Sequence, residues 1–180
     1  KNNAAEVLKA IGAAAKDEVG VLALMLDNED KTTRKLVGQI LENLGPDAAE
    51  ATDDLIEYLR NDEKSVRQMA ANILKKIGPA AKTGVSELVE LLTEDDKDVR
   101  ALAVEVLVNL GANAKDGVED LVDLVNDTDA DARVCAAKVL GAIGPDAEKG
   151  ALATLKKHLN AEDPQVRNAI AAAIAKIEVK

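Results

Sequence analysis

Gly12, Gly45, Gly78, Gly111 and Gly144 fall 33 residues apart, and the residues around them nearly repeat. The stretches are Ile11-Gly12-Ala13-Ala14, Leu44-Gly45-Pro46-Asp47-Ala48, Ile77-Gly78-Pro79-Ala80-Ala81, Leu110-Gly111-Ala112-Asn113-Ala114 and Ile143-Gly144-Pro145-Asp146-Ala147. A segment of this length cannot bury its own apolar face. Identical units must therefore stack and complete one another's core.

Each period reads as two helices. The first opens after the glycine, with Pro46, Pro79 and Pro145 at the first turn, where a missing N–H costs little. The glycines Gly45, Gly78, Gly111 and Gly144 end the preceding helix in a left-handed conformation. First helices are expected over about 14–27, 47–60, 80–93, 113–126 and 146–159. Second helices follow at about 31–44, 64–77, 97–110, 130–143 and 164–177. Each second helix opens at an acidic cap: Asp30, Glu63, Asp96, Asp129 or Asp163. Because Glu caps poorly, Asp62 is an alternative in the second unit.

The second helices carry aligned apolar columns three or four residues apart, as a buried stripe requires. They are Leu41, Leu74, Leu107, Leu140 and Ile174; Leu44, Ile77, Leu110, Ile143 and Ile177; and the smaller Val37, Ala70, Ala103, Ala136 and Ile170. Arg34, Arg67, Arg100 and Arg133 keep the 33-residue spacing, whereas Arg167 comes one residue late. The extra residue belongs near 146–151 and is expected to lengthen the loop or loosen the first turn there.

Apolar residues make up 47% of the 180-residue chain but aromatics only 1%, with Tyr58 alone. The core must be Leu, Ile, Val and Ala. The net charge of −10 and the lack of stacking groups argue against nucleic-acid binding and against anionic membranes. No apolar run is long enough to span a bilayer, and no signal segment is visible. The chain begins at Lys1 without Met, which reads as a removed leader or a piece of a longer array; the compartment stays open.

These units resemble HEAT repeats, close to the bacterial HEAT-like variety of phycobilin lyases. The resemblance rests on the Gly-Pro-x-Ala starts and on an Asp-x-x-Val-Arg motif. The motif stands here as Glu63-Lys64-Ser65-Val66-Arg67, Asp96-Lys97-Asp98-Val99-Arg100 and Asp163-Pro164-Gln165-Val166-Arg167; Thr33 and Ala132 replace the valine elsewhere. The expected fold is all-α: a right-handed α-solenoid of about five 33-residue HEAT-like helix pairs plus an N-terminal half-repeat helix. It forms one domain over 1–180, with repeats at about 12–44, 45–77, 78–110, 111–143 and 144–177 behind a leading helix at 1–11.

The recurring arginines Arg34, Arg67, Arg100, Arg133 and Arg167 read as structural. A binding site is local, whereas these stand at the same point of every unit. Each guanidinium is expected to bond an acidic side chain or carbonyl in the turn of a neighbouring unit. No catalytic group, cofactor site or metal site is expected. His158, the sole histidine, shares a column with Met25, Tyr58, Leu91 and Leu124. Cys135 shares one with Leu36, Met69, Leu102 and Ala169, and lacks any neighbour that would depress its pKa. Acidic runs such as Asp53-Asp54-Glu57 and Glu119-Asp120-Asp123 lie on solvated helix faces and lack the glycine-centred loop of a calcium site.

The resemblance implies that second helices line a concave surface. Its outward residues include Lys35, Gln39, Gln68, Asn72, Lys76, Ala101, Glu105, Val108, Asn109, Val134, Lys138 and Ala142. Ala101, Val108, Val134 and Ala142 are small or apolar where water is expected, which marks a candidate groove. The expected function is a non-enzymatic scaffold for a protein or peptide, a basic one by whole-chain charge. An accessory lyase or chaperone of the bilin-lyase type is the alternative implied by the resemblance, and a structural or designed repeat protein without ligand is a third. Helix 164–177, apolar nearly all round, invites self-association or continuation of the array.

Overall fold

The computed structural model describes residues 15–179; the expected leading helix at 1–11 and Gly12 lie outside them. Among the described residues every regular element is helical. The α-helices are α1 (Val19–Leu24), α2 (Lys31–Leu44), α3 (Thr52–Glu57), α4 (Lys64–Ile77), α5 (Val85–Glu90), α6 (Lys97–Leu110), α7 (Val118–Val125), α8 (Ala130–Ile143), α9 (Glu148–Lys157) and α10 (Pro164–Ile177). The second helices of the five repeats, α2, α4, α6, α8 and α10, have 14 residues each and the bounds expected from the sequence.

The described residues form two compact units, 15–84 and 85–179. In the first, α2 packs on α4, and the stretch Gly45–Ala51 packs on Gly78–Gly84. In the second, α8 lies between α6 and α10, while α7 packs on α9. Each unit thus layers first-helix segments against second helices. The expected columns form the core: Leu74, Leu107, Leu140, Ala70, Ala103 and Ala136 are all fully buried.

Aspartate opens most second helices. Asp30 accepts the N–H groups of Thr32 and Thr33, and Asp163 those of Gln165 and Val166. The second unit of the sequence departs from this. Its N-cap residue is Glu63, not Asp62, and the Glu63 side chain makes no cap bond. That carboxylate instead meets Arg34 at 2.6 Å.

The second helices α2, α4, α6 and α8 each end at a glycine with positive φ, from 53° at Gly45 to 71° at Gly144, whereas α10 ends at Glu178 with φ −81°. The glycine ψ values of −123° to −141° differ from the left-handed helical turn that the sequence suggests. This is the mirror image of extended backbone, which glycine alone enters cheaply.

The first helices are not the continuous α-helices expected. They begin at the glycine itself, as a 3-10 stretch: Gly45–Ala51, Gly78–Gly84 and Gly111–Gly117 have seven residues each. The reason is a spacing of three. Gly45, Ala48 and Ala51 are buried, as are Gly78, Ala81 and Gly84. Three residues per turn places such small residues on one line. In the last repeat the buried residues are Gly144, Ala147 and then Ala151, a step of three followed by four. The 3-10 stretch there stops after four residues, and α9 runs for ten, against six in α3. At 2.0 and 1.5 Å per residue, Gly45–Glu57 and Gly144–Lys157 both rise about 23 Å. The extra residue is absorbed by exchanging 3-10 for α winding. It neither lengthens the loop nor loosens the turn.

Candidate functional site

The arginines hold the turns. Arg34 Nη1 donates to the carbonyls of Asn28 (2.5 Å) and Glu29 (3.3 Å), and Nη2 reaches Glu63. Arg100 does the same with the Glu94 carbonyl, the Asp95 carbonyl at 3.2 Å and the Asp131 carboxylate at 3.0 Å. Arg167 bonds the carbonyls of Ala161 and Glu162, and Arg133 approaches that of Asp127 at 3.4 Å. The repeat pattern predicts an acidic side chain or carbonyl from a neighbouring unit, and the carbonyls differ from that. They belong to the arginine's own turn, and at Arg34 and Arg100 the carboxylate comes from the next repeat. A guanidinium spans both because its donors fan out in one plane. A second device was missed: Asn28, Asn61 and Asp127 accept the N–H two residues on, at Asp30, Glu63 and Asp129. These Asx turns set the chain up for the cap.

Of the candidate surface residues, Lys35, Gln39, Gln68 and Lys76 are exposed on α2 and α4, and Asn72 is half-buried. They present a polar face, with Gln68 Nε2 donating to Asn72 Oδ1 at 3.4 Å.

The second unit contains an open groove of about 540 Å³ along α6, α8 and α10. Val108, Val134, Lys138 and Ala142 line it, together with Val104, Ala137, Gly141 and several residues of α10. Ala101, Glu105 and Asn109 are exposed but do not line it. At 3.6 residues per turn they stand roughly 60–140° round α6 from Val104. Val104 and Ala137 escaped the sequence reading because their side chains form a floor and not an outward column.

The groove owes its depth to small residues. Gly141 occupies the column that holds Glu42, Lys75 and Val108 in earlier repeats. A Cβ there would stand 3.0 Å from Ala173 Cα, so α8 and α10 approach closely beneath the groove. The Lys176 stem crosses this gap, its Cδ 3.5 Å from the same point.

The remaining reactive side chains lie elsewhere. Burial pushes the half-buried Cys135 thiol above its ordinary value, which makes it a poor nucleophile. His158 Nε2 pairs with Asn126 Oδ1 at 3.0 Å. Burial, with Asp27, Asp54 and Glu57 nearby, raises the Tyr58 hydroxyl. Among the described residues no group of His, Cys, Asp and Glu is arranged to hold a metal ion, and no helix is long and apolar enough to cross a membrane.

The HEAT repeats family profile matches residues 18–107 and 85–175. Curated protein sequences provide no significant match. Several solved structures share the fold. An engineered protein from the Northeast Structural Genomics Consortium is 29% identical, with 96% of this chain and 83% of that one covered and a TM-score of 0.54. The archaeal HEAT-like repeats protein of Thermococcus onnurineus NA1 is 16% identical, with 94% and 75% covered and a TM-score of 0.57. A computationally designed armadillo repeat protein for modular peptide recognition is 17% identical, with 98% and 94% covered and a TM-score of 0.51. With its paired helices, aspartate caps and glycine stops repeated through both matched segments, the chain belongs to the HEAT repeat family.

Proposed function

We propose that residues 1–180 act as one non-catalytic scaffold that binds a protein or peptide through the exposed face of the second helices. The observation that carries this reading is the groove of the second unit. It is open, floored by Val and Ala, and within the size range of ligand sites. Likeness to an armadillo protein designed for modular peptide recognition supports the reading at the level of scaffold. The lyase-type alternative needs polar and aromatic groups that converge, and the sole aromatic, Tyr58, is not among the groove's lining residues. Absence of a pigment absorbance shift on mixing with a bilin would set that alternative aside.

The test is to pan a displayed random peptide library against the full chain and measure the selected peptides on Ala172→Trp. Ala172 is exposed and lines the groove, so the indole fills the site without entering the core. Binding that falls by at least tenfold, with an unchanged circular dichroism spectrum, is expected. Peptides that bind both proteins equally would refute the reading.

A further inference from the structure

The groove's charge is opposite to that of the chain. The protein carries 33 acidic residues and a net charge of −10, yet among the described residues no carboxylate lines the groove. Among the described residues its charged lining residues are Lys138 of α8 and Lys176 of α10. Other lysines of this surface-rich chain find acids: Lys16 meets Asp47 at 2.8 Å, Lys97 meets Asp131 at 3.6 Å and Lys156 meets Glu178 at 2.8 Å. Among the described residues neither Lys138 nor Lys176 makes a hydrogen bond or ion pair.

The two lysines line the groove together with its apolar floor. Lys138 is the ninth residue of α8, and Lys176 is the thirteenth of α10. The Lys176 stem lies over Gly141 and forms part of the wall, so its head stands at the rim. Gln165 and Asn168 add side-chain amides on the α10 side, which can pair with the peptide groups of a bound chain.

We propose that this groove binds an acidic amphipathic peptide segment, with apolar side chains seated on Val104, Val108 and Val134 and carboxylates paired with Lys138 and Lys176. The proposal rests on the scaffold reading above and adds the chemistry of the partner. It also reverses, for this site, the basic partner that whole-chain charge suggests. A basic segment would bring cations against two lysines with no acid in the groove to receive them, which complementarity disfavours. The field of the rest of the molecule repels an acidic ligand at long range, but screening confines that effect to about 8–10 Å at ordinary salt.

The experiment compares peptide libraries panned on the full chain and on the double variant Lys138→Gln, Lys176→Gln. Both lysines are exposed, so the variant is expected to fold. Peptides selected on the full chain should carry Asp or Glu within a few residues of Leu, Ile or Phe. A synthetic copy of one such peptide should bind the double variant roughly tenfold more weakly, as loss of two exposed pairs implies. Replacing its acids with amides should weaken binding to the full chain by a similar factor. Selection of basic or uncharged peptides that Ala172→Trp still blocks would overturn the acidic partner and leave the scaffold standing. Failure of Ala172→Trp to block any selected peptide would overturn both. A concentration-dependent dimer in sedimentation, lost in the double variant, would assign the groove to a second copy and overturn the peptide partner.

Discussion

At the scale of single residues, Arg34 and Arg100 are, among the described residues, the two charged side chains that the fold buries. Burial of a guanidinium is tolerated only when its donors are used. Arg100 directs them at two carbonyls and one carboxylate, and its side chain is 9% exposed, against 81% for the neighbouring Lys97. Arg100→Ala should therefore lower stability by about 2–3 kcal/mol, since it removes charged hydrogen bonds to the Glu94 and Asp95 carbonyls and the Asp131 carboxylate. Lys97→Ala should change it by less than about 0.5 kcal/mol, as exposed pairs do. Urea unfolding of both variants checks this, and equal midpoints would refute it. The recurrence of the arginine was legible in the sequence. Its choice of carbonyl was not, because recurrence says nothing of the direction in which a long side chain bends. Glycine provides a second contrast. A Cβ at Gly144 or at Gly20 would meet nothing within 4 Å, so space does not distinguish them. Backbone does: φ is 71° at Gly144, while Gly20 lies within α1. Gly144→Ala should cost about 1–3 kcal/mol in strain. Gly20→Ala should stabilise by roughly 0.5–1 kcal/mol, since alanine is the better helix former. Opposite shifts in thermal midpoint are the expected result.

At the scale of elements, punctuation decided what could be read. The second helices open at an acidic cap, and α2, α4, α6 and α8 close at a glycine stop; both signals act through local backbone bonds that the sequence states directly. Their bounds were therefore legible to the residue. The first-helix segments were legible only in place. Their winding follows the spacing of small buried residues, three at Gly45, Ala48 and Ala51, and alanine spacing is easily overlooked inside a helix expectation. The cap chemistry makes a pH prediction. The Thr33 hydroxyl and the N–H groups of Thr32 and Thr33 hold the Asp30 carboxyl below its ordinary value. A depressed folded pKa stabilises the ionised form, so the contribution is fully present above about pH 4 and is lost as pH falls through the folded value. Asp30→Asn keeps a good cap and removes the titration. Its stability should change little at pH 7 and lose less than the parent between about pH 4 and pH 2. Parallel acid-unfolding curves for the two proteins would contradict this.

At the scale of the molecule, repetition made the fold readable and hid the site. Every repeat must complete its neighbour's core, so the columns through Leu74, Leu107 and Leu140 announce the architecture. The groove arises where repeats stop resembling one another, at Gly141, Ala142 and the alanines of α10. Outward columns identified Val108, Val134, Lys138 and Ala142, but the floor at Val104 and Ala137 depends on how three helices close together. That closure also predicts how damage spreads. Because α8 packs on both α6 and α10, a cavity in α8 removes support from two neighbours at once. Leu140 is fully buried, and Leu140→Ala should cost about 2–5 kcal/mol. Native-state hydrogen exchange should then quicken by a hundredfold or more, roughly, in α6 and α10 as well as α8, since linked helices open as one unit. Faster exchange confined to α8 would mean that the groove's three helices are held independently. A peptide seated across them would in that case bind three separate supports in place of one preformed surface.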